Sequence, residues 1–402
     1  MRILIANSYR SLVGGVEKYL QVILPRLAVS GHTLGFLYEF PAASSSETID
    51  RDVTELTTWC VTEQGQRAAL VAVDRWRPQV VYAHGLEDGM LQSALQRRYP
   101  YLLYAHNYDG TCATGRKCHM FPLPQPCQRK LGPACVLLHY PRRCGGLNPV
   151  TVWRQYRRQI QLRSQLEDCR MILVASAHMQ QELLRNGISP KLLRLVPLPP
   201  TEIAPECPPP SSGQPGSLLF LGRLTDLKGG GYLINAMPRI AERLQRNFTL
   251  TIAGDGPDRT RLQELAHARG VRAEFLGWVN SEQKLELMRR AELLVVPSVW
   301  PEPFGLVGVE AACTGLPAVG YAVGGILDWL IPGCSGEVAP GDPPTVEGLV
   351  EAIVRALIDP VHYARLRDGA WKQARKYTVE RHLFSLESLF DEIVHAPVGA
   401  VI

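Results

Sequence analysis

Two glutamates, Glu302 and Glu310, lie on either side of a Pro-Phe-Gly turn in the second half of this 402-residue chain. Prolines on both sides of Glu302 favour a loop from which its carboxylate can point into a cleft. Gly305 then predicts the start of a helix, whose first amide groups are unpaired and attract phosphate. Glu310 would lie about one turn into that helix. Carboxylates and helix amides in this order suit a ligand made of a sugar, a diphosphate and a ribose.

Two basic residues that could hold a diphosphate follow another apolar run. Arg223 and Lys228 come directly after the run at 217–221. The carboxyl end of a strand is where doubly wound folds bind their ligands. An arginine fork and a lysine point charge suit a diphosphate leaving group. We therefore interpret both residues as ligand-binding rather than as plain surface charges.

The first half of the chain has glycines and histidines at the ends of apolar runs. Gly14 and Gly15 separate a predicted strand at 2–6 from a helical pattern at 16–28, which favours a turn that phosphate can approach closely. His106 ends the run at 101–105, and His84 ends the run before it. A lone histidine is more often structural than catalytic. Because it ends a predicted strand, His106 is nevertheless a candidate for function, and His84 is the weaker candidate.

Short apolar runs alternate with helical segments in both halves, which indicates mostly parallel sheets with helices on both faces. Between the halves, Pro197 to Gly216 contains eight prolines and is interpreted as an extended linker. We predict a first domain at 1–198, a linker at 199–216, a second domain at 217–378 and a terminal helix at 379–402, whose return to the first domain stays open. The predicted strands are 2–6, 33–38, 79–83, 101–105, 171–175 and 192–196 in the first half, and 217–221, 249–253, 273–276, 293–296 and 318–321 in the second.

Five motifs, taken in order, resemble those of the retaining glycosyltransferases of family 4, which have the GT-B fold. They are Gly14-Gly15-Val16-Glu17, Gly222-Arg223-Leu224 with Lys228-Gly229, Gly254-Asp255-Gly256-Pro257, Phe275-Leu276-Gly277-Trp278-Val279 and the stretch from Pro301 to Glu310. The resemblance covers nearly all of the chain and is most secure over 217–330. It implies two Rossmann-like, doubly wound domains that face a central cleft, with the acceptor on the first domain and the nucleotide sugar on the second.

The resemblance also implies an activity and a set of site residues. The implied enzyme is a hexosyltransferase that moves a sugar, with retention, from a UDP- or GDP-sugar to a glycan, lipid-linked or small-molecule acceptor, as in polysaccharide biosynthesis. The implied catalytic residues are His106, Arg223, Lys228 and Glu302. The implied donor-binding residues are Gly14, Gly15, Arg223, Lys228, Gly254, Val279, Glu302, Phe304, Gly305, Leu306 and Glu310. Two alternatives stay open: another GT-B enzyme such as a nucleotide-sugar epimerase, and a nucleotide-sugar-binding subunit without activity.

Neither a catalytic metal ion nor another cofactor is expected. Asp50-Arg51-Asp52 matches the acid-x-acid pattern by which the other large glycosyltransferase fold binds Mn²⁺ or Mg²⁺. It follows three serines at 44–46 instead of a buried strand, so we interpret it as a solvated surface. Positive side chains and helix amides would then neutralise the leaving group.

An insertion from Gly110 to Asn148 is rich in cysteine. It contains Cys112, Cys118, Cys127, Cys135 and Cys144 together with His119 and His139. These ligands would suffice for a structural zinc ion, but the spacings are wide and no Cys-x-x-Cys pair is present. Disulfides are a second alternative, and packed free thiols, which a cytoplasmic location favours, are a third.

Positive charge is concentrated in and after this insertion. The net charge is +5, yet Thr111 to Leu166 holds ten basic residues and no acidic one. Such a block attracts anions; a nucleic acid is not expected, because no recognised nucleic-acid motif accompanies it. Arg116, Lys117, Arg142 and Arg143 are candidates for binding a phosphorylated acceptor. The next helix adds Trp153, Arg154, Tyr156, Arg157 and Arg158, which suit either a membrane surface or a solvated helix face.

The ends and hydropathy of the chain bear on its location. The amino terminus has no apolar core of signal-peptide length, and no apolar run approaches the ~20 residues that span a bilayer. We expect a cytoplasmic protein, with peripheral attachment to the inner face of the cell membrane as an open alternative.

Overall fold

The computed structural model describes residues 1–42, 47–201, 204–206, 209 and 213–395. The serines at 44–46, parts of the proline-rich linker and residues 396–402 of the predicted terminal helix lie outside the described residues. The strands are β1 (Arg2–Tyr9), β2 (Thr33–Phe40), β3 (Leu56–Cys60), β4 (Val80–Ala83), β5 (Tyr101–Ala105), β6 (Cys118–His119), β7 (Gln125–Pro126), β8 (Met171–Val174), β9 (Leu193–Leu195), β10 (Ser217–Leu221), β11 (Thr249–Ala253), β12 (Ala273–Gly277), β13 (Leu293–Val296), β14 (Ala318–Tyr321) and β15 (Gly336–Ala339). The helices are α1 (Gly15–Val29), α2 (Val61–Gln64), α3 (Gln66–Trp76), α4 (Gly89–Arg98), α5 (Ala134–Leu137), α6 (Pro149–Glu167), α7 (Ala177–Arg185), α8 (Gly230–Leu244), α9 (Arg259–Ala268), α10 (Ser281–Arg290), α11 (Leu306–Cys313), α12 (Ile326–Trp329), α13 (Val346–Leu357), α14 (Pro360–Ala374) and α15 (Val379–His395), with short 3-10 helices at Pro190–Leu192 and Asp226–Lys228.

The chain forms two parallel sheets, one in each half. The first has the order β3-β2-β1-β4-β5-β8-β9, and the second has the order β12-β11-β10-β13-β14-β15. In both sheets the direction of winding reverses beside the first strand, between β1 and β4 and between β10 and β13. Doubly wound folds bind ligands at this switch point, beyond the carboxyl ends of the strands. The loops after β1, β4, β10 and β13 lie at these switch points, and the loops after the neighbouring strands border them.

Both sheets are covered on their two faces, which explains the continuous apolar runs in the sequence. Leu4 and Ile5 of β1 are completely buried although they point to opposite faces. Leu293 and Leu294 of β13 are buried in the same way. The sheets are rigid platforms, and the loops at their carboxyl edges carry the polar residues.

The terminal helix α15 packs against the first domain. It contacts α1 and β4, and Glu392 forms an ion pair with Arg194 at 2.7 Å. His382 Nδ1 lies 2.8 Å from the Pro197 carbonyl, so this nitrogen must donate. His382 Nε2 then accepts from the Tyr19 hydroxyl at 2.7 Å. Tyr19 in turn accepts from Tyr82 at 2.6 Å. This hydrogen-bonded series joins the helix, the start of the linker and the first sheet.

The buried His382 predicts a loss of stability in acid. Burial lowers the pKa of His382 to about 4, whereas an unfolded histidine titrates near 6.5. Below pH ~6.5 the unfolded chain therefore binds a proton that the folded chain does not. Stability is fully present above that pH and falls by up to ~1.4 kcal/mol per pH unit, about 3 kcal/mol in all, on acidification to about pH 4.

The measurement is the free energy of unfolding in urea as a function of pH. His382→Asn retains a donor for the Pro197 carbonyl but cannot titrate, so its pH slope should be lower by one proton between pH 6.5 and 4. Ser385→Asn, on the same helix, is the matched control; it changes no titratable group and should keep the wild-type slope. Identical slopes for the His382 variant and the wild type would contradict the prediction.

Candidate active site

Glu302 occupies the loop after β13, at the carboxyl edge of the second sheet. The residue is only 6% exposed, and its Oε1 accepts from Lys228 Nζ at 2.6 Å and from Ser298 Oγ at 2.5 Å. Lys228 Nζ also lies 5.1 Å from the centre of the Trp300 ring. A buried carboxylate must be compensated in this way. In the described part of the chain no donor is recorded for Glu302 Oε2, which leaves that oxygen for a ligand.

A glycine pair after β14 fixes the backbone of the Glu302 loop. The Gly325 amide donates to the Glu302 carbonyl at 2.6 Å. Gly324 has a φ of +59°, and a Cβ there would lie 2.3 Å from the Glu302 carbonyl oxygen. Only glycine allows this approach without displacing the loop. The sequence-based prediction missed both residues, although a glycine pair after a predicted strand, here the run at 318–321, was the signal that identified Gly14 and Gly15.

Helix α11 starts at the same loop and directs its amino end to the cleft. Gly305 precedes it with a φ of +83°, and the Phe304 carbonyl accepts from Trp329 Nε1 at 2.7 Å. Among the described residues no acceptor is recorded for the amides of Leu306 and Val307. Unpaired amides at a helix amino end form an anion site, and here a buried carboxylate lies beside them.

Glu310 lies within the first turns of α11, as the sequence predicted, but it already has protein partners. Its Oε1 accepts from Lys284 Nζ at 2.7 Å and from Thr201 Oγ1 at 2.9 Å. Thr201 belongs to the linker segment and Lys284 to α10, so the site includes two residues that the sequence did not indicate. They hold the carboxylate in one position.

The loop after β10 carries the two predicted basic residues. Arg223 is exposed, and the described part of the structure shows no ion pair for it. Lys228 ends a short 3-10 turn, and the next residue, Gly229, has a φ of +71° and passes so close to the Pro297 carbonyl that a Cβ would lie 1.8 Å away. This contact keeps Lys228 next to the Glu302 loop.

Two further donor-site candidates line the same edge of the second sheet. Gly254 follows β11 with a φ of +138°, and a Cβ there would lie 2.0 Å from the Gly222 carbonyl oxygen, so the loops after β10 and β11 are packed together. Val279 follows β12 and is half-buried beside the exposed Trp278. The second domain therefore brings its predicted site residues to one edge.

On the first domain, the glycine turn is open to the cleft side of β1. Gly14 and Gly15 are exposed at the amino end of α1, and nothing lies within 4 Å of a Cβ built on Gly15. The Gly14 amide donates to Glu17 Oε2 at 2.8 Å. Glu17 thus fixes the turn and leaves the Gly15 side free for a ligand.

His106 and His84, from neighbouring strand ends, form a pair. His106 Nε2 lies 2.9 Å from His84 Nδ1, and the His106 ring stacks on Tyr104 at 4.5 Å between centres. Burial, and then the nearby His382, lower the pKa of His106 to about 3. Burial also lowers the pKa of His84 well below its usual value. Both rings are neutral at pH 7, so His106 acts as a hydrogen-bonding group and not as a cation.

Contacts between the domains converge on the Glu302 loop. The Tyr108 hydroxyl donates to the Pro301 carbonyl at 2.5 Å and accepts from His178 Nε2 at 2.8 Å. Ser176 Oγ donates to the Pro303 carbonyl at 2.5 Å. The first domain therefore holds this loop on either side of the glutamate.

The insertion after His106 crosses the cleft, and two of its predicted acceptor residues have other roles. Both Oδ atoms of Asp226, next to Lys228, accept from Arg116 at 2.7 and 2.9 Å. Lys117 is 1% exposed and forms an ion pair with the buried Glu182. An external anion cannot reach Lys117, so its prediction as an acceptor residue is wrong; it fixes the insertion to α7.

The other two predicted acceptor residues remain near the surface. Arg143 is exposed and lies over the Phe121 ring, 5.2 Å from its centre. Arg142 is half-buried. Both can still meet an anion from solvent.

The five cysteines of the insertion are free thiols, so the disulfide alternative is not realised. Cys144 Sγ lies 3.6 Å from His119 Nδ1. Across the described ranges, no group of three or more histidine, cysteine or acidic side chains is arranged to hold a metal ion. Burial raises the pKa of Cys118 to about 11 and that of Cys144 to about 12, so both thiols stay protonated.

The acid-x-acid sequence is only partly a solvated surface. Asp52 is exposed, but Asp50 accepts from Arg10 at 2.6 and 3.2 Å and its side chain is 11% exposed. Burial opposes ionisation of Asp50, yet the hydrogen bonds and charge of Arg10 lower its pKa. The interpretation as surface is thus wrong for Asp50, which holds its loop to the end of β1.

Parts of the chain are similar in sequence to known glycosyltransferases. Residues 209–375 match the family model of glycosyl transferases group 1. A segment of 113 residues is 47% identical to an uncharacterized glycosyltransferase of Methanocaldococcus jannaschii and covers 28% of each chain. A segment of 185 residues is 34% identical to the D-inositol 3-phosphate glycosyltransferase of Salinispora tropica, covering 44% of this chain and 38% of that protein. The chain thus spans well under half of the length of these relatives.

The likeness in structure extends over the whole chain. The Anabaena protein HepE, solved in complex with UDP-glucose, superposes with a TM-score of 0.68 at 17% sequence identity, over 98% of this chain and 100% of that chain. The two doubly wound domains therefore form the GT-B fold, as predicted. None of the helices in the described ranges is long and apolar enough to cross a membrane.

Proposed function

We propose that this chain is a retaining, metal-independent glycosyltransferase that moves a hexose from a nucleotide diphosphate sugar to an acceptor hydroxyl. The observation that carries the proposal is the buried Glu302 with Lys228 beside the unpaired amides of Leu306 and Val307. A neutral sugar hydroxyl needs an acceptor such as Glu302 Oε2, and a diphosphate needs cations and amides. Both requirements are met where the loops after β10 and β13 meet. The match of 209–375 to group 1 glycosyl transferases supports the assignment.

The donor would lie along the carboxyl edge of the second sheet. Glu302 would accept from hydroxyls of the sugar, while Lys228, Arg223 and the Leu306 amide contact the diphosphate. Glu310, held by Lys284 and Thr201, would accept from the ribose hydroxyls. HepE was solved with UDP-glucose, which supports UDP over GDP as the nucleotide to test first.

In the proposed reaction the acceptor oxygen attacks the anomeric carbon on the face from which the leaving group departs. The bond between the anomeric carbon and the diphosphate oxygen breaks, and the acceptor proton passes to that diphosphate. Arg223, Lys228 and the amides of Gly15 and Leu306 stabilise the developing charge. The neutral His106 would hydrogen-bond to the donor sugar. No metal ion takes part.

The acceptor would enter from the side of the first domain, bordered by the insertion. Arg142 and Arg143 remain as candidates for an anionic group on the acceptor. One of the relatives is a D-inositol 3-phosphate glycosyltransferase, whose acceptor name includes a phosphate. A phosphorylated acceptor is therefore a suitable first choice for assay.

The test is a thermal-shift panel of UDP, GDP, UDP-glucose and GDP-mannose. A ligand that binds only the folded state raises Tm. At a ligand concentration of 100 times its Kd, the free energy of unfolding rises by ~2.7 kcal/mol. One base should raise Tm both as the diphosphate and as the diphosphate sugar, and Glu310→Gln should reduce both shifts. No shift with any nucleotide would refute the proposal. Conversion of the donor to an isomeric nucleotide sugar without an acceptor would instead favour an epimerase.

The metal-free part of the proposal is tested in the same panel. The shifts, and slow hydrolysis of the donor, should be unchanged in excess EDTA, and Asp52→Asn should leave them unchanged. Loss of both on chelation, with recovery in Mn²⁺, would show that a metal neutralises the diphosphate. A Tm that falls in EDTA without any nucleotide would point to a metal in the cysteine insertion.

A further inference from the structure

Helix α6 exposes apolar side chains on the face turned away from the protein. Its buried positions include Val152, Leu162 and Leu166. On the opposite face Val150 is 63% exposed and Trp153 is 54% exposed. Positions 150, 153, 157 and 160 form one stripe of a helix surface. The stripe is not needed for the core, because the other face of α6 already packs there.

The end of the insertion extends this apolar surface. Leu137 at the end of α5 and Leu147 just before α6 are 76% and 75% exposed. Tyr140, 44% exposed, joins them, since its hydroxyl donates to the Leu147 carbonyl at 3.3 Å. Helix α5 contacts α6. We call the surface formed by Leu137, Tyr140, Leu147, Val150, Trp153, Arg154, Arg157, Arg158 and Ile160 the α6 face.

The charge of the α6 face has one sign. Arg154, Arg157 and Arg158 are exposed, and the described residues provide no ion pair for any of them. The acidic residue at the far end of the helix, Glu167, pairs with Arg163 at 2.8 Å. Asp109, from the loop before the insertion, accepts from the buried Gln159 at 3.0 Å on the inner side. A solvated surface normally intersperses the two signs.

We propose that the α6 face docks on an anionic lipid bilayer, which goes beyond the proposed transfer reaction. Tryptophan and tyrosine favour the boundary between headgroups and acyl chains. Arginines beside them reach the lipid phosphates while their stems cover apolar surface. Each basic residue near an anionic surface strengthens the binding of the chain to that surface, and salt screens the attraction. The attachment is therefore reversible. The exposed apolar stripe distinguishes this occupant from a soluble anion, which would need only the arginines.

The experiment is co-sedimentation of the full chain with vesicles of phosphatidylcholine alone or with 30% phosphatidylglycerol. The chain should sediment with the anionic vesicles at 50 mM salt, at least ten-fold more than with the neutral ones, and should be released at 1 M salt. Equal recovery with neutral vesicles, or no recovery with either, would overturn the proposal. The second outcome would leave a soluble phosphorylated acceptor as the explanation of the charge.

Two sets of variants test the face itself. Changing Arg154, Arg157 and Arg158 to Glu should lower the partition coefficient by about 100-fold or more. Changing Leu147 and Trp153 to Ser should lower it by at least about ten-fold without changing net charge. The matched controls are Arg67, Arg75 and Arg381→Glu, which lie exposed on other helices, and Phe384→Ser, 76% exposed on α15.

The controls should bind vesicles as the wild type does, and all variants should keep their nucleotide-induced rise in Tm. Equal loss of binding in the arginine controls would show that net charge alone attracts the chain, which would refute the α6 face as the docking surface. A failure of nucleotide binding in every variant and in the wild type would refute the proposed function and leave vesicle binding as an independent result.

Discussion

Lys228→Ala and Arg223→Ala are each expected to lower kcat by ~10²–10³, the usual cost of removing one preorganised group that stabilises developing charge. Lys228 has the additional role of pairing with Glu302 at 2.6 Å, so its loss also frees the sugar-binding carboxylate. Arg223 forms no ion pair within the described ranges, so the loss of kcat in its variant measures only the contribution of Arg223 to stabilising the diphosphate. Steady-state kinetics with the donor that the thermal-shift panel identifies is the measurement.

Three controls separate catalysis from stability. Arg223 is exposed on a loop, so Tm should change little in its variant, whereas Lys228→Ala leaves the buried Glu302 carboxylate uncompensated and should lower Tm, so its kcat is measured well below its own Tm. Arg269→Ala, on an exposed residue of the same domain, should retain wild-type kcat. A double-mutant cycle of Lys228→Ala with Glu302→Gln should be clearly non-additive, because paired residues act as a unit. Near-wild-type turnover in the Lys228 or Arg223 variant would exclude that residue from leaving-group stabilisation.

The strands that the sequence predicted well are those buried on both faces. β10, β11, β13 and β14 begin and end at the predicted residues, because each is a mostly apolar run, and β13 and β14 are buried at every position. Four strands were missed: β6 and β7 form a separate two-stranded sheet in the insertion, and β3 and β15 lie at the edges of the two parallel sheets. Only the last two residues of β3, Trp59 and Cys60, are buried, and β15 contains Gly336 and Glu337. An edge strand needs fewer apolar residues, so its sequence resembles a loop.

The site residues also differ in whether a local sequence pattern predicts them. The Glu302 loop and the start of α11 follow from a local pattern of proline and glycine, and they were predicted. Thr201 and Lys284, which hold Glu310, lie 109 and 26 positions away from it. Such pairing depends on how the domains fold together and has no local signature. Lys117 was misassigned for this reason, since its partner Glu182 is distant in sequence.

The count of charged residues identified the basic segment, but it could not predict which role each of its residues has. Lys117 is buried and forms an ion pair with Glu182. Arg116 joins the two domains through its ion pair with Asp226, and Arg157 is exposed on α6. These differ in burial, which depends on tertiary contacts. The composition predicts an anionic partner, whereas the arrangement of exposed apolar residues beside the arginines favours a lipid surface for it.

The glycine pair after β14 gives the second large expected effect, in Gly324→Ala. A methyl group there would lie 2.3 Å from the Glu302 carbonyl oxygen and 2.4 Å from its amide nitrogen. The Glu302 loop must therefore move by about 1 Å, and a misplacement of that size can cost ~10² in rate. We expect kcat to fall by ~10² or more, with a smaller loss of ~1–2 kcal/mol in unfolding free energy from the left-handed backbone.

Gly333→Ala is the matched control for this variant. Gly333 has a similar φ of +68°, but nothing lies within 4 Å of a Cβ built there. Both variants should therefore lose ~1–2 kcal/mol in urea unfolding from alanine in the left-handed region, and Gly324→Ala should lose more, because its methyl group also displaces the Glu302 backbone. Only Gly324→Ala should lose turnover, since only its methyl group reaches the Glu302 backbone. Equal kcat in the two variants would show that the glycine pair does not set the position of the Glu302 loop. Other contacts would then have to hold the Glu302 carboxylate in place for sugar binding.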